Sequence, residues 1–145
     1  MYERPPERDD LDALLDPLIR FAQEMLRKRG AFYPFGDVMT IDGEVTLTAA
    51  DPGTDHPPTE EMMDLLLAGM RTQAAAGQIR AAGLCYDVRI RDRDGNATDA
   101  IAVSLEHKAG DTARVLMPYS KGRFRGLKFG DIAAERAERR VFDVE

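Results

Sequence analysis

Between Gly83 and Tyr119 apolar and polar positions alternate. Leu84, Tyr86, Val88 and Ile90 are interleaved with Cys85, Asp87, Arg89 and Arg91. A period of two predicts a β-strand with one apolar face. Asp94-Gly95 follows, a preferred pair for a two-residue type I′ turn. Closing there sets Val88 opposite Ile101, Tyr86 opposite Val103 and Leu84 opposite Leu105, all on one face. A second turn at Ala109-Gly110-Asp111, as a three-residue loop, sets Leu105 against Val115, Val103 against Met117 and Ile101 against Tyr119. Glu106 then falls opposite Arg114 on the other face. Pro118 lacks an N–H, which predicts that the third strand is an edge or ends there.

Elsewhere the period changes. Leu11, Leu14, Leu15, Leu18, Ile19, Ala22, Met25 and Leu26 follow helical spacing. Asp9 or Asp10 is the expected cap, Gly30 the expected stop, and the apolar phase continues through Pro17, predicting one kinked helix. Residues 32–41 and 44–50 predict a hairpin around Asp42-Gly43, with Val38 facing Leu47 and Thr40 facing Val45. A breaker-rich loop over 51–59 leads to Thr59 as N-cap of a second helix. Its apolar face is broad: Met62, Met63, Leu65, Leu66, Leu67, Met70 and Ala74. Gly77 is the expected end. Asp131 is placed to cap a final helix through Glu138, although Val141, Phe142 and Val144 suit a strand end equally well.

The expected fold is therefore α+β, a single domain of order α-β-β-α-β-β-β-α. Its five-stranded antiparallel sheet is covered by two main helices. This order resembles that of roadblock-type and related profilin-like domains, and the resemblance implies partner binding and dimerisation. Acidic secretion chaperones of similar size are also α+β and often dimeric. They place three strands before the middle helix, where two are read here.

A length of 145 residues fits one domain, read as a flexible leader over 1–8 and a folded body over 9–145. With 43% hydrophobic and 32% charged residues the chain is globular in type. No apolar run reaches the roughly 20 residues needed to span a bilayer, and the start lacks the apolar core of a signal peptide. The single Cys85 excludes an internal disulfide, and the expected setting is a reducing cytoplasm. A net charge of −6 disfavours nucleic acid, whose affinity comes from Lys and Arg on phosphates.

Candidate chemistry is sparse. His56 lies near Asp51 and Asp55, but the spacing matches no established metal site and reads as a solvated turn. In the register above, Cys85 lies opposite Ser104 while His107 points to the other face, so no Cys-His dyad is expected. Asp87 and Glu106 share the second face with Arg89 and Arg114, a setting for mutual charge pairing. No catalytic residue, metal or cofactor is expected. Lys121, Arg123, Arg125 and Lys128, interleaved with Phe124, Leu127 and Phe129 among glycines, form the candidate ligand-binding segment, suited to an anion. Met62, Met63, Leu66 and Met70 form the candidate partner-binding face, since Met-rich surfaces adapt to varied partners. Pattern alone does not separate a core helix from an interface helix over 62–76. The leading expectation is a non-enzymatic binding module, a homodimer or the partner of another protein, associating through a sheet edge or that helix. The alternative is a small-ligand or anion-binding sensor or enzyme with a pocket near 121–129.

Overall fold

The structure, a computed structural model, describes residues 6–49, 58–122 and 126–142. Two helices, α1 (Pro6–Arg29) and α2 (Thr59–Ala75), accompany seven strands: β1 (Phe35–Thr40), β2 (Val45–Ala49), β3 (Ile79–Arg91), β4 (Ala97–His107), β5 (Thr112–Gly122), β6 (Gly126–Phe129) and β7 (Ala133–Glu135). All pair antiparallel in one open sheet of order β2-β1-β3-β4-β5-β6, with β7 also on β5. The expected α+β class and antiparallel sheet are present. Among the described residues the strand count is seven rather than five.

The extra strands replace the expected final helix. Residues 131–138 hold β7 instead, and β6 and β7 run one after the other along the same side of β5. Pro118 lies opposite the break between them. Its carbonyl accepts from Gly130 N on that side, so its missing N–H faces that side too, where the ladder cannot close. The proline interrupts its neighbour; β5 itself continues to Gly122.

All three tight hairpins close with three-residue loops, one more residue than expected at two of them. Thr40 N bonds Glu44 O, Asp92 N bonds Asn96 O, and His107 N bonds Asp111 O. In each, the glycine (Gly43, Gly95, Gly110) takes the third loop position with positive φ and donates to the residue three before it. This is a type I turn followed by a left-handed glycine. At the middle hairpin the Asp92 carboxylate accepts from the amides of Asp94 and Asn96, which favours that turn over type I′.

The consequence is a register correction. Cys85 pairs with Val103 and Asp87 with Ile101, whereas Leu84 meets Ser104 and Tyr86 meets Ala102. Leu84, Tyr86 and Val88 therefore point away from Ile101, Val103 and Leu105. In the first hairpin Val38 meets Thr46 and Met39 meets Val45. Between β4 and β5 the shift is two residues, so the faces stand: Val103 meets Val115 and Ile101 meets Met117. Glu106 meets Thr112, and Ser104 meets Arg114.

Both faces can be apolar because each carries a helix. α1 lays Leu11, Leu14, Leu18, Ile19, Ala22 and Leu26 on one face, against Phe35, Met39, Cys85, Ile101, Val103 and Leu105. α2 lays Leu66, Leu67 and Met70 on the other, against Val38, Ala82, Leu84, Tyr86 and Ala102, with Val141 and Phe142 of the tail completing that core. α1 begins at Pro6 and runs unbroken through Pro17. Pro58, not Thr59, is the N-cap of α2, and it makes no side-chain cap. Gly77 ends α2 as expected: with φ 70°, it bonds Ala74 O while Gln78 N bonds Gln73 O.

Candidate functional site

The two rims of the sheet differ. A solitary sheet rim is normally blunted by charge, proline, shortness or interruption, since its free N–H and C=O groups invite another strand. The β6/β7 rim has these features: two short strands, a break, and Lys128, Glu135 and Arg136 along it. The β2 rim does not. Val45-Thr46-Leu47-Thr48-Ala49 is uninterrupted and uncharged, and no described strand pairs with its outer side.

The side chains of β2 are open as well. Val45, Leu47 and Ala49 pair with Met39, Asp37 and Phe35, which puts them on the α1 face. α1 sits over β1, β3 and β4 and stops short of β2, so Val45 is 39% and Leu47 50% exposed. Phe21 of α1 stacks edge-on against Phe35, 4.8 Å between ring centroids, and remains half exposed beside this row. On the other face, Thr48, Leu65, Gly69 and Gln73 line a groove of about 250 Å³ between β2 and α2. An open strand thus displays apolar side chains on the α1 face and threonines beside the exposed Leu65 on the α2 face.

The expected partner-binding residues are placed by α2. Met62, Leu66 and Met70 are buried, and Met63 is half-buried against the α2-face core. The outward apolar residue is Leu65, part of the same broad stripe in the sequence.

Of the candidate ligand-binding residues, Arg123 and Arg125 lie outside the described residues. Lys121 is on β5 and donates to the Gly30 carbonyl at the C-terminal end of α1, 3.1 Å away, where the helix dipole favours a cation. Lys128 on β6 is exposed opposite Ser120. Lys121 lines an open cleft of about 380 Å³ with Arg27, Leu26 and Leu127, and Arg27 lies over the Phe129 ring, 5.3 Å from its centroid.

The remaining ionisable groups have structural partners or none. Cys85 lies on the α1 face, not opposite Ser104 as expected; burial, then the charges of Asp37 and Asp87, push its thiol pKa far up, so it is a poor nucleophile. His107 shares that face but is fully engaged: Nδ1 accepts from Ala109 N, which leaves the proton on Nε2 to donate to Asp10, 2.8 Å away. Asp10 also takes both Nε and Nη2 of Arg80. A bulge opposite Met39/Thr40 turns Arg80 toward α1 and sends Ile79 to the α2 face. Burial raises the Asp10 pKa, but the hydrogen bonds from His107 and Arg80 outweigh it and hold the carboxyl below its usual range.

Asp87 and Glu106 do not share a face, contrary to expectation. Asp87 accepts from the Tyr119 hydroxyl on the α1 face. Glu106, buried on the α2 face, accepts from three consecutive tail amides, Arg140, Val141 and Phe142. Such a run of N–H groups is an anion nest, here filled by the protein's own carboxylate. Among the described residues Asp37 has no hydrogen-bond partner at either oxygen, and burial pushes its pKa up to about 8. The Asp10–His107–Arg80 cluster and the Glu106 nest had no sequence signal. Asp37 had one, an acid in phase with Phe35 and Met39.

Among the described residues no group of three His, Cys, Asp or Glu side chains is placed to hold a metal ion. His56, Asp51 and Asp55 lie outside them. No described helix is long and apolar enough to cross a membrane. Comparison of the chain with protein-family models, with characterised proteins and with solved structures finds no match.

Proposed function

We propose that this protein is a non-enzymatic binding module that pairs with a second copy of itself through β2. The carrying observation is the contrast between the rims, one short, broken and charged, the other continuous and uncharged. A second copy is the favoured occupant because β2 is self-complementary. An antiparallel pair centred on Leu47 sets Leu47 against Leu47, Val45 against Ala49 and Thr46 against Thr48 across a two-fold axis. Every contact then sets apolar against apolar or threonine against threonine. Phe21 on one face and Leu65 on the other would flank the joined sheet. The buried, unpaired Cys85 thiol fits a reducing compartment such as the cytoplasm.

Native mass spectrometry and light scattering test this reading. The expected species is a dimer at micromolar concentration, and Leu47→Lys, a change at a half-exposed position, should give a folded monomer. A wild-type chain that stays monomeric at hundreds of micromolar would overturn it.

A second reading has its own observation, the cleft beside Lys121. Arg27 and Lys121 at its wall would suit an anionic small molecule. Loss of a copurified ligand in Lys121→Ala would favour it.

A further inference from the structure

On the α2 face, beyond the reach of α2, the tail walls off a polar cavity of about 230 Å³. Tyr86, Ser104 and Arg114 form its floor on β3, β4 and β5, and Arg136, Glu138 and Arg140 form its wall. Three guanidinium groups and one carboxylate, Glu138, line it, with Glu135 paired to Arg114 beside it, in a chain whose net charge is −6. This is the opposite face of the sheet from the Lys121 cleft.

The floor is ordered by its own hydrogen bonds. Arg114 Nε donates to the Tyr86 hydroxyl, 3.3 Å away. The Tyr86 hydroxyl and Ser104 Oγ lie 3.4 Å apart, and either can donate to the other, so one of the two hydroxyl protons can turn to a ligand. Arg114 Nη1 is held by Glu135, which fixes the fork with Nη2 to spare. Tyr86 is only 8% exposed, so the hydroxyl pair sits at the base of the cavity rather than on open surface. Arg140 is anchored through its backbone, whose N–H is held by Glu106 and whose carbonyl accepts from Arg71. Among the described residues its side chain has one ion-pair approach, 4.0 Å to Glu138. Arg136 makes no ion pair among the described residues.

We propose that this cavity is a binding site for a phosphate group. Guanidinium forks arrive from two walls and a hydroxyl from the floor. A carboxylate presents two oxygens in one plane, whereas a tetrahedral oxyanion presents oxygens in several directions and suits donors arriving from different sides. The volume exceeds that of a phosphate ion, so the cavity has room for the phosphoryl end of an organic phosphate and part of its ester.

The test is an NMR titration of the full chain with inorganic phosphate at constant ionic strength, with acetate and chloride as comparisons. Saturable shifts at the amides of Ser104, Arg114 and Arg136 are expected, with acetate and chloride giving none. Arg136→Ala, at an exposed position, should weaken phosphate about tenfold without changing the rest of the spectrum, and Lys121→Ala should leave it unaltered. Shifts that never saturate, that survive Arg136→Ala, or that centre on Lys121 would overturn the proposal. Phenyl phosphate then identifies the source. Binding equal to inorganic phosphate points to an organic ester; binding of inorganic phosphate alone points to the free ion.

Discussion

Asp37 and Gly83 face each other across β1 and β3 beneath α1, and each depends on the other. A Cβ built on Gly83 would lie 2.6 Å from Asp37 Oδ1, 2.8 Å from Leu18 Cδ1 and 3.1 Å from Leu105 Cδ2. The missing side chain makes room both for the helix and for the buried acid.

Gly83→Ala should therefore destabilise the protein by overpacking, by about 1–3 kcal/mol. Adding Asp37→Ala removes the closest atom, so the double variant should lose less than the two single losses added together. Urea melts of the four proteins give the coupling. Additive losses would place the clash elsewhere.

Asp37 also predicts a pH dependence. Its folded pKa is pushed up to about 8, well above the ordinary carboxylate range, because burial disfavours the charged form. The folded state thus binds the proton more tightly. Asp37 contributes fully below about pH 4, and the contribution is lost as pH rises toward 8, a change on the order of 5 kcal/mol at most. Asp37→Asn should flatten that slope. Stability measured from pH 5 to 8 should fall for wild type relative to the variant, and parallel curves would count against the assignment.

Asp10 has the opposite sign. Its folded pKa is lowered, so its contribution is present at neutral pH and is lost as pH falls through the folded value. Asp10→Ala leaves Arg80 and His107 without their shared acceptor and should cost about 1–3 kcal/mol at pH 7, and less at pH 3, where the carboxyl has begun to protonate. Thermal melts at both values decide this.

Glu106→Gln replaces an oxygen with a donor in a nest of three donors. The tail should loosen, with hydrogen exchange at Arg140, Val141 and Phe142 faster by at least tenfold and exchange in β4 little changed. Unchanged tail protection would show that Val141 and Phe142 hold the segment by apolar contact alone.

Much of the fold was legible because it is written in local periodicity. Leu11 to Leu26 can only bury one stripe as a helix, and Gly30, Gly43, Gly77, Gly95 and Gly110 mark turns whose backbone requires positive φ. The element order up to β5 followed from these. The open β2 rim was within reach of the sequence only as one of two possible interfaces. The phosphate cavity was out of reach, since Arg114 and Arg136 meet only when β7 folds back along β5.

What the sequence by itself determined was which segments up to β5 are helix or strand, where most of them turn, and that those strands are antiparallel. What only the tertiary structure decided was which side each strand shows to which helix. Leu84, Tyr86 and Val88 and the set Ile101, Val103 and Leu105 are both apolar, and alternation alone favours putting them together. That reasoning holds for a sheet with one covered face. Here α1 and α2 cover both, so burial no longer penalises a shift of one residue. The choice passed to one side chain in a turn, Asp92, whose carboxylate holds two amides and adds the third loop residue. The last strands depended on long-range pairing in the same way. Ala133 to Glu135 favours helix locally, but the free side of β5 offered hydrogen bonds and a partner for Arg114 that an isolated helix could not match.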